Sequence, residues 1–435
     1  MSKPLILLAS LGLAATASAA DITVSPNDPN ALTKARDTAR AGDRIILRGG
    51  TYRLSEPLVL GPQHSGVTWM AAPGEKPVIS GGVPVTGWTP DPANPKIFQA
   101  KVDLDNFRQI WINGVRGQRA RGRVPAGLAP LGENKGVLKP RATPAGLTLN
   151  PGGFPPGSAM QLSDLGEFPP SGFTTSDERL LTWRNPQDIE MGGRIAWNQA
   201  SFMVSKISKV DGKVVLEVAQ PGYFICTNMA GAPMRGPGWM ENAYELIDQP
   251  GEWYFDRPAK TLFYLPRPGE DLAKAEIIAP RLETLVRVEG TIDKPVQGLR
   301  FDGLTFSHAT WLRLSSAWGF PNIQGNFCVS PENGYMRAEG GWVNLSDEFL
   351  KTPGNVVVHA GHGLRFDSCT FTALGGSGLD LEYGSQNNVV SRCHFFDIAG
   401  TAVQIGDLQR HDHHPDDPRL IVKDNQLIDS EITKV

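Results

Sequence analysis

Asp397 and Asp429 are the first candidates for chemistry. Asp397 follows Cys393 by four residues, and Asp429 follows Asn425 by four. If Asn425 takes the place of Cys393 one repeat later, the two carboxylates stack at one corner of the chain. Like charges so close raise one pKa and leave the other group ionised, as an acid and nucleophile pair requires. Ala373 holds the same corner one repeat earlier, so the pair is not a periodic surface feature. The alternative is that both are turn aspartates bonded to local backbone.

Asp380 and Glu382 flank Leu381. With Leu379 and Leu381 facing inward, both acids face outward on one surface. Asp407 ends the equivalent strand one turn later. These three make a second acidic cluster, for catalysis or ligand contact; the alternative is a solvated sheet face with no role. The run from His411 to Asp417 combines imidazoles and carboxylates. Adjacent loop residues rarely reach one ion together, so no metal is expected; the run reads as a solvated insertion loop, with His411 and His413 as candidate ligand contacts where it rims a cleft. His359 and His362 read as turn residues. There is no phosphate loop, dinucleotide fingerprint or serine nucleophile elbow, so no cofactor is expected.

The elements that must position these residues repeat. Gly298-Leu299-Arg300-Phe301-Asp302 recurs as Gly363-Leu364-Arg365-Phe366-Asp367. Cys369 and Phe371 match Cys393 and Phe395 at a shift of 24, as Leu379 and Leu381 match Val403 and Ile405. Asn425 and Leu427 supply a third copy of Cys393 and Phe395, at a shift of 32. A period near 24 residues with about three short strands per turn predicts an all-β, right-handed parallel β-helix, whose turns share one core. Cys369 over Cys393 reads as a ladder of small apolar thiols, with a disulfide as the alternative. Residues 105–280 predict an inserted β-sandwich-like domain with long loops, and 311–351 a smaller insertion. Residues 20–104 predict the first turns with a short helical cap, and 281–435 the later rungs. The chain stops on a rung strand, from which a truncated C-terminus is expected.

The chain has 435 residues, and 42 basic against 45 acidic residues leave a net charge of −3. That balance argues against nucleic acid or an anionic membrane as partner. Gly and Pro number 48 and 35, spread along the chain without a Gly-X-Y period, which favours a turn-rich β protein over collagen. Lys3, the apolar run Leu5 to Ala17 and Ala17-Ser18-Ala19 predict a signal peptide over residues 1–19 and a secreted or periplasmic protein.

Four stretches carry a resemblance: Leu246 to Arg257 with Leu262 to Pro266; Ile112 to Arg116 with Arg119 to Arg121; Phe371 to Ser385; and Phe396 to Asp407. Together they resemble the exported β-helix glycoside hydrolases of families 141 and 120. The resemblance implies hydrolysis of plant or algal polysaccharide through two carboxyl groups, and it points to Asp397 in its Asp-Ile-Ala-Gly segment. One strand spacing, about 4.8 Å, is close to the roughly 5–5.5 Å that retaining enzymes use. Trp311 then becomes a candidate to stack on a sugar face. A polysaccharide lyase and a non-catalytic carbohydrate-binding protein are the alternatives. The sparse basic residues of the last rungs count against the lyase.

Overall fold

The structure is a computed structural model. It describes residues 19–132, 171–195, 198–228, 234–324, 327–329, 336–338, 341–343, 349–407, 412 and 415–435. The expected signal peptide therefore falls almost wholly outside the described residues, as do His411 and His413.

The protein is all-β, with parallel and antiparallel sheets combined. The later chain runs in coils. Gly354–His359 leads through Arg365–Asp367 to Thr370–Leu374, and the same three steps recur as Ser377–Glu382, Val389–Ser391 and His394–Ile398. Each strand pairs in parallel with its counterpart: Arg365 with Val389, Thr370 with His394, Leu379 with Val403. All three of these shifts are the 24 residues seen in the sequence. The stack continues backward without a gap, because Arg300–Asp302 pairs with Thr68–Ala71 and Thr305–Ala309 with Pro77–Ser80. The chain thus leaves one coil after Ser80 and resumes the next one more than 200 residues later.

Alternation decides what fills the centre. Every second residue of each strand points inward and meets its equivalent one coil away. Phe306, Phe371 and Phe395 stack with ring centres 5.0 and 4.7 Å apart, and Phe301 stacks on Phe366 at 4.8 Å. All five are fully buried. Cys369 and Cys393 belong to this column as free, buried thiols, which settles the ladder against the disulfide.

The third copy differs from expectation. Gln426–Ile428 pairs with Val389–Ser391, and Glu431–Thr433 with His394–Ile398, a shift of 37 rather than 32. Asn425 therefore sits over Asn388, not over Cys393, and accepts a hydrogen bond from its amide at 2.9 Å. An asparagine at a coil corner can bond the next coil's asparagine, and that interaction outweighs the weaker apolar match read from sequence.

Antiparallel pairing begins at Gly82–Pro84, ahead of residue 105, and includes Phe98–Lys101 against Thr261–Tyr264. The long hairpin Glu190–Ile195 with Asn198–Val210 extends it. Phe320–Gln324, from the second insertion, pairs with that hairpin through Ala200 and Ser201. Both insertions thus share one sheet and lean on the same side of the coils. Among the described residues no helix is long and apolar enough to cross a membrane.

Phe371 touches a ring on either side, so Phe371→Ala is expected to cost about 3–5 kcal/mol of stability in chemical denaturation. Phe396→Ala, at a half-buried position in the next coil, should cost clearly less.

Candidate functional site

A cleft of about 990 Å³ opens where the antiparallel sheet meets the coils. Gly375, Ala399 and Thr401 supply its coil side, and Thr352 its link to the second insertion. Gly375 has to be glycine, since a Cβ there would lie 2.5 Å from Gln109 Oε1 and 2.7 Å from Thr310 Cα. Arg108, Arg116, Arg119, Arg121 and Arg194 line the cleft, with Asn198, Gln199 and Asn322 between them and Trp311 at the side. Trp311 is buried against Phe320, edge to face at 6.0 Å, and keeps one margin on the cleft.

The wall is built on a buried charge network. Glu190 and Glu241 face each other directly across an antiparallel pair. Two like charges so placed repel. Arg119 resolves this by bridging them, with Nη1 donating at 3.1 Å to Glu190 and 2.7 Å to Glu241. Arg108 closes on Glu190, and Arg121 closes on Glu241 through Nε at 2.9 Å. Burial alone would push the Glu190 carboxyl up, but Arg108 and Arg119 overcome it and hold the group well below the usual carboxylate range. Arg119 and Arg121 stood in one of the stretches that carried the resemblance; Arg108, Glu190 and Glu241 gave no signal in the sequence.

Asp397 stands beside this wall. Its Oδ1 accepts from Arg116 Nε at 2.7 Å and its Oδ2 from Trp111 Nε1 at 2.8 Å. Both oxygens are engaged, one by Arg116, which borders the cleft, and one by Trp111. The stacked pair with Asp429 is not formed. The register puts Lys434 after Thr433, level with Asp397, and carries Asp429 to the level of Arg392. Arg392 and Asp429 share a left-handed backbone, φ 53° and 48°, at one corner; Asp397 and Lys434 share another, at 55° and 53°. The five-residue error in the third repeat is the cause.

The second acidic cluster is assembled. Asp380 and Glu382 project from one face of Ser377–Glu382, as alternation requires. Lys351, from the second insertion, reaches down onto both: its Nζ lies 2.7 Å from Asp380 and also contacts Glu382. His359, in register with Glu382 one coil away, contacts it through Nε2 at 2.6 Å. Gln404, in register with Asp380, donates to the Thr352 carbonyl at 2.7 Å and lies 3.4 Å from Asp380. Thr352 borders the cleft, so the acids sit directly behind its edge. The charge of Asp407 opposes ionisation of Asp380. Asp412 accepts the Tyr383 backbone N–H at 2.9 Å, just past the end of the acid strand.

The charges divide unevenly. Burial pushes the Asp380 carboxyl up to about 7, against the pull of Lys351 and with the push of Glu382. Burial also acts on Glu382, but His359 and Lys351 draw it down to about 2. The hydrogen bond that His359 donates to Glu382 raises the histidine in return. One carboxyl is held as an acid and its neighbour as an anion. Among the described residues no group of three or more His, Cys, Asp or Glu is arranged to hold a metal ion.

Removing Glu190 should unmask two buried guanidinium groups, so Glu190→Ala is expected to cost about 3–5 kcal/mol in urea unfolding. Because the folded pKa of Glu190 is depressed, its contribution is complete above the unfolded value of about 4.3 and is lost as pH falls toward the folded value. Stability of the wild type should therefore decline on acidification more steeply than that of Glu190→Ala.

No family model matches the chain, and no curated protein matches it. Among solved structures it is similar to a glycoside hydrolase, with 25% identity and a TM-score of 0.69 over 96% of this chain and 74% of that one. It also aligns with the complex of XylC with xylose, at 10% identity over 94% of this chain and 53% of that one; the TM-score of 0.42 carries no weight.

Proposed function

We propose that the protein is a glycoside hydrolase built on a right-handed parallel β-helix, and that Asp380 and Glu382 are its carboxyl pair. The likeness to a solved glycoside hydrolase along 96% of the chain carries the activity. The neighbouring acid and anion, set behind a polar, aromatic-edged cleft, support the chemistry. Lys351 touches both carboxyls, which limits the gap between their nearest oxygens to roughly 5 Å, the separation of retaining enzymes. Asp380 donates its proton to the glycosidic oxygen as the bond to the anomeric carbon breaks. Glu382 attacks that carbon and forms a glycosyl ester. The Asp380 carboxylate then takes a proton from water, whose oxygen displaces Glu382 and releases the sugar. Lys351 keeps Glu382 anionic until attack, and it has to swing aside for the sugar to reach both groups. The export signal read over residues 1–19 favours an extracytoplasmic polysaccharide as substrate, and the resemblance to families 141 and 120 favours one of plant or algal origin.

The five arginines of the cleft favour a second reading, a polysaccharide lyase, in which an arginine removes a proton next to a uronate. Reducing-sugar release from a polysaccharide panel, followed together with ultraviolet absorbance, separates the two, because only elimination leaves an unsaturated, absorbing product. Sugar release without absorbance is expected. Asp380→Asn and Glu382→Gln should each lower kcat by about 10²–10⁴. Activity should also fall as pH rises through about 7, where Asp380 loses the proton it must donate. Full activity in Asp380→Asn would remove that residue from the mechanism.

A further inference from the structure

Resting on the saccharide reading above, we propose that the cleft selects sugars bearing an anionic substituent, a carboxylate or a sulfate, received by Arg194 and the Asn198 amide. Both residues sit at the tip of the Glu190–Ile195 and Asn198–Val210 hairpin, Arg194 opposite Gln199 and Asn198 opposite Ile195. Both border the cleft.

Three observations converge on this tip. The first is a surplus of positive charge. Arg116 is matched by Asp397, while Arg108, Arg119 and Arg121 share only Glu190 and Glu241 among the described residues. Arg194 is exposed and has no partner among the described residues. The second is that Glu241 is the sole carboxylate among the described residues lining the cleft, and both its oxygens are taken by Arg119 and Arg121. Nothing acidic there is left free to repel an anion. The third is Asn198. Its side chain is 4% exposed, yet neither its amide nitrogen nor its amide oxygen has a hydrogen-bond partner. A buried amide left unsatisfied is unfavourable unless a ligand completes it. A guanidinium and a donor amide that border one cleft can together receive the oxygens of a carboxylate or sulfate, and charge-assisted bonds of this kind are the stronger ones. The neighbouring Gln199 and Asn322 suit the uncharged hydroxyls of the same ring.

The surplus was not visible in the last rungs, where basic residues are few. It comes from residues 108–194, which the fold brings over the coils.

Calorimetric titration of the full chain with matched probes tests this. One pair is an oligogalacturonate and its methyl ester; the other is a sulfated carrageenan oligosaccharide and its desulfated form. The charged member of one pair should bind at least about tenfold more tightly than its neutral partner, and added salt should shrink the gap. The pair that shows the preference identifies the substituent. Arg194→Met should bring the charged probe to the affinity of the neutral one, with an unchanged melting temperature, while Arg194→Lys should keep part of the preference. Equal binding of charged and neutral probes, or a preference that survives in Arg194→Met, would overturn the proposal. If neutral polysaccharides are hydrolysed while no charged probe is favoured, only this inference falls. If no probe binds and no polysaccharide is cleaved, the glycosidase reading falls with it.

Discussion

The register between neighbouring parallel strands is the constraint on which everything else rests. Each strand presents its side chains at fixed levels, and a shift of one residue would turn the inward set outward. The fully buried phenylalanine columns hold that register from inside. Asparagine bonding between coils holds it at the corner, where Asn388 meets Asn425. His359 faces Glu382, and Gln404 faces Asp380, only because those levels are fixed. The acid cluster is a consequence of stacking before it is a consequence of charge.

Charge then shapes the site in two different ways. At the cleft wall, three arginines surround two buried carboxylates, and the excess of cations holds Glu190 firmly ionised. Behind the cleft edge the balance is reversed, because one lysine serves two carboxyls and the more buried of them keeps its proton. The first arrangement is a rigid, positive surface suited to holding a ligand. The second is a proton donor beside an anion. Thr352 joins them: it borders the cleft, follows Lys351 directly and gives its carbonyl to Gln404.

What the sequence made legible was what repeats. The 24-residue spacing identifies which residues face inward, and alternation around Leu381 places Asp380 and Glu382 on one face. The third repeat failed because a loop precedes it and the apolar match was short, so a corner asparagine decided the register instead. Asp397 was conspicuous in its motif, but its partners Trp111 and Arg116 lie some 280 residues earlier, beyond the reach of any local pattern. The same holds for Glu190 and Glu241, which only the antiparallel sheet brings face to face. Lys351 belongs to a segment that read as a mere insertion, yet it determines how the two acids share their charge.

The central claim is that Glu382 is the carboxylate that bonds to the sugar while Asp380 supplies the proton. The most direct measurement is trapping with a panel of fluorinated glycosyl fluorides, which form glycosyl esters that hydrolyse slowly. Intact mass followed by peptide mapping locates the label. One glycosyl unit attached at Glu382, and none in Glu382→Gln, is the predicted result. A label on Glu241 or Asp397, or steady hydrolysis with no labelled protein under any of the reagents, would contradict it.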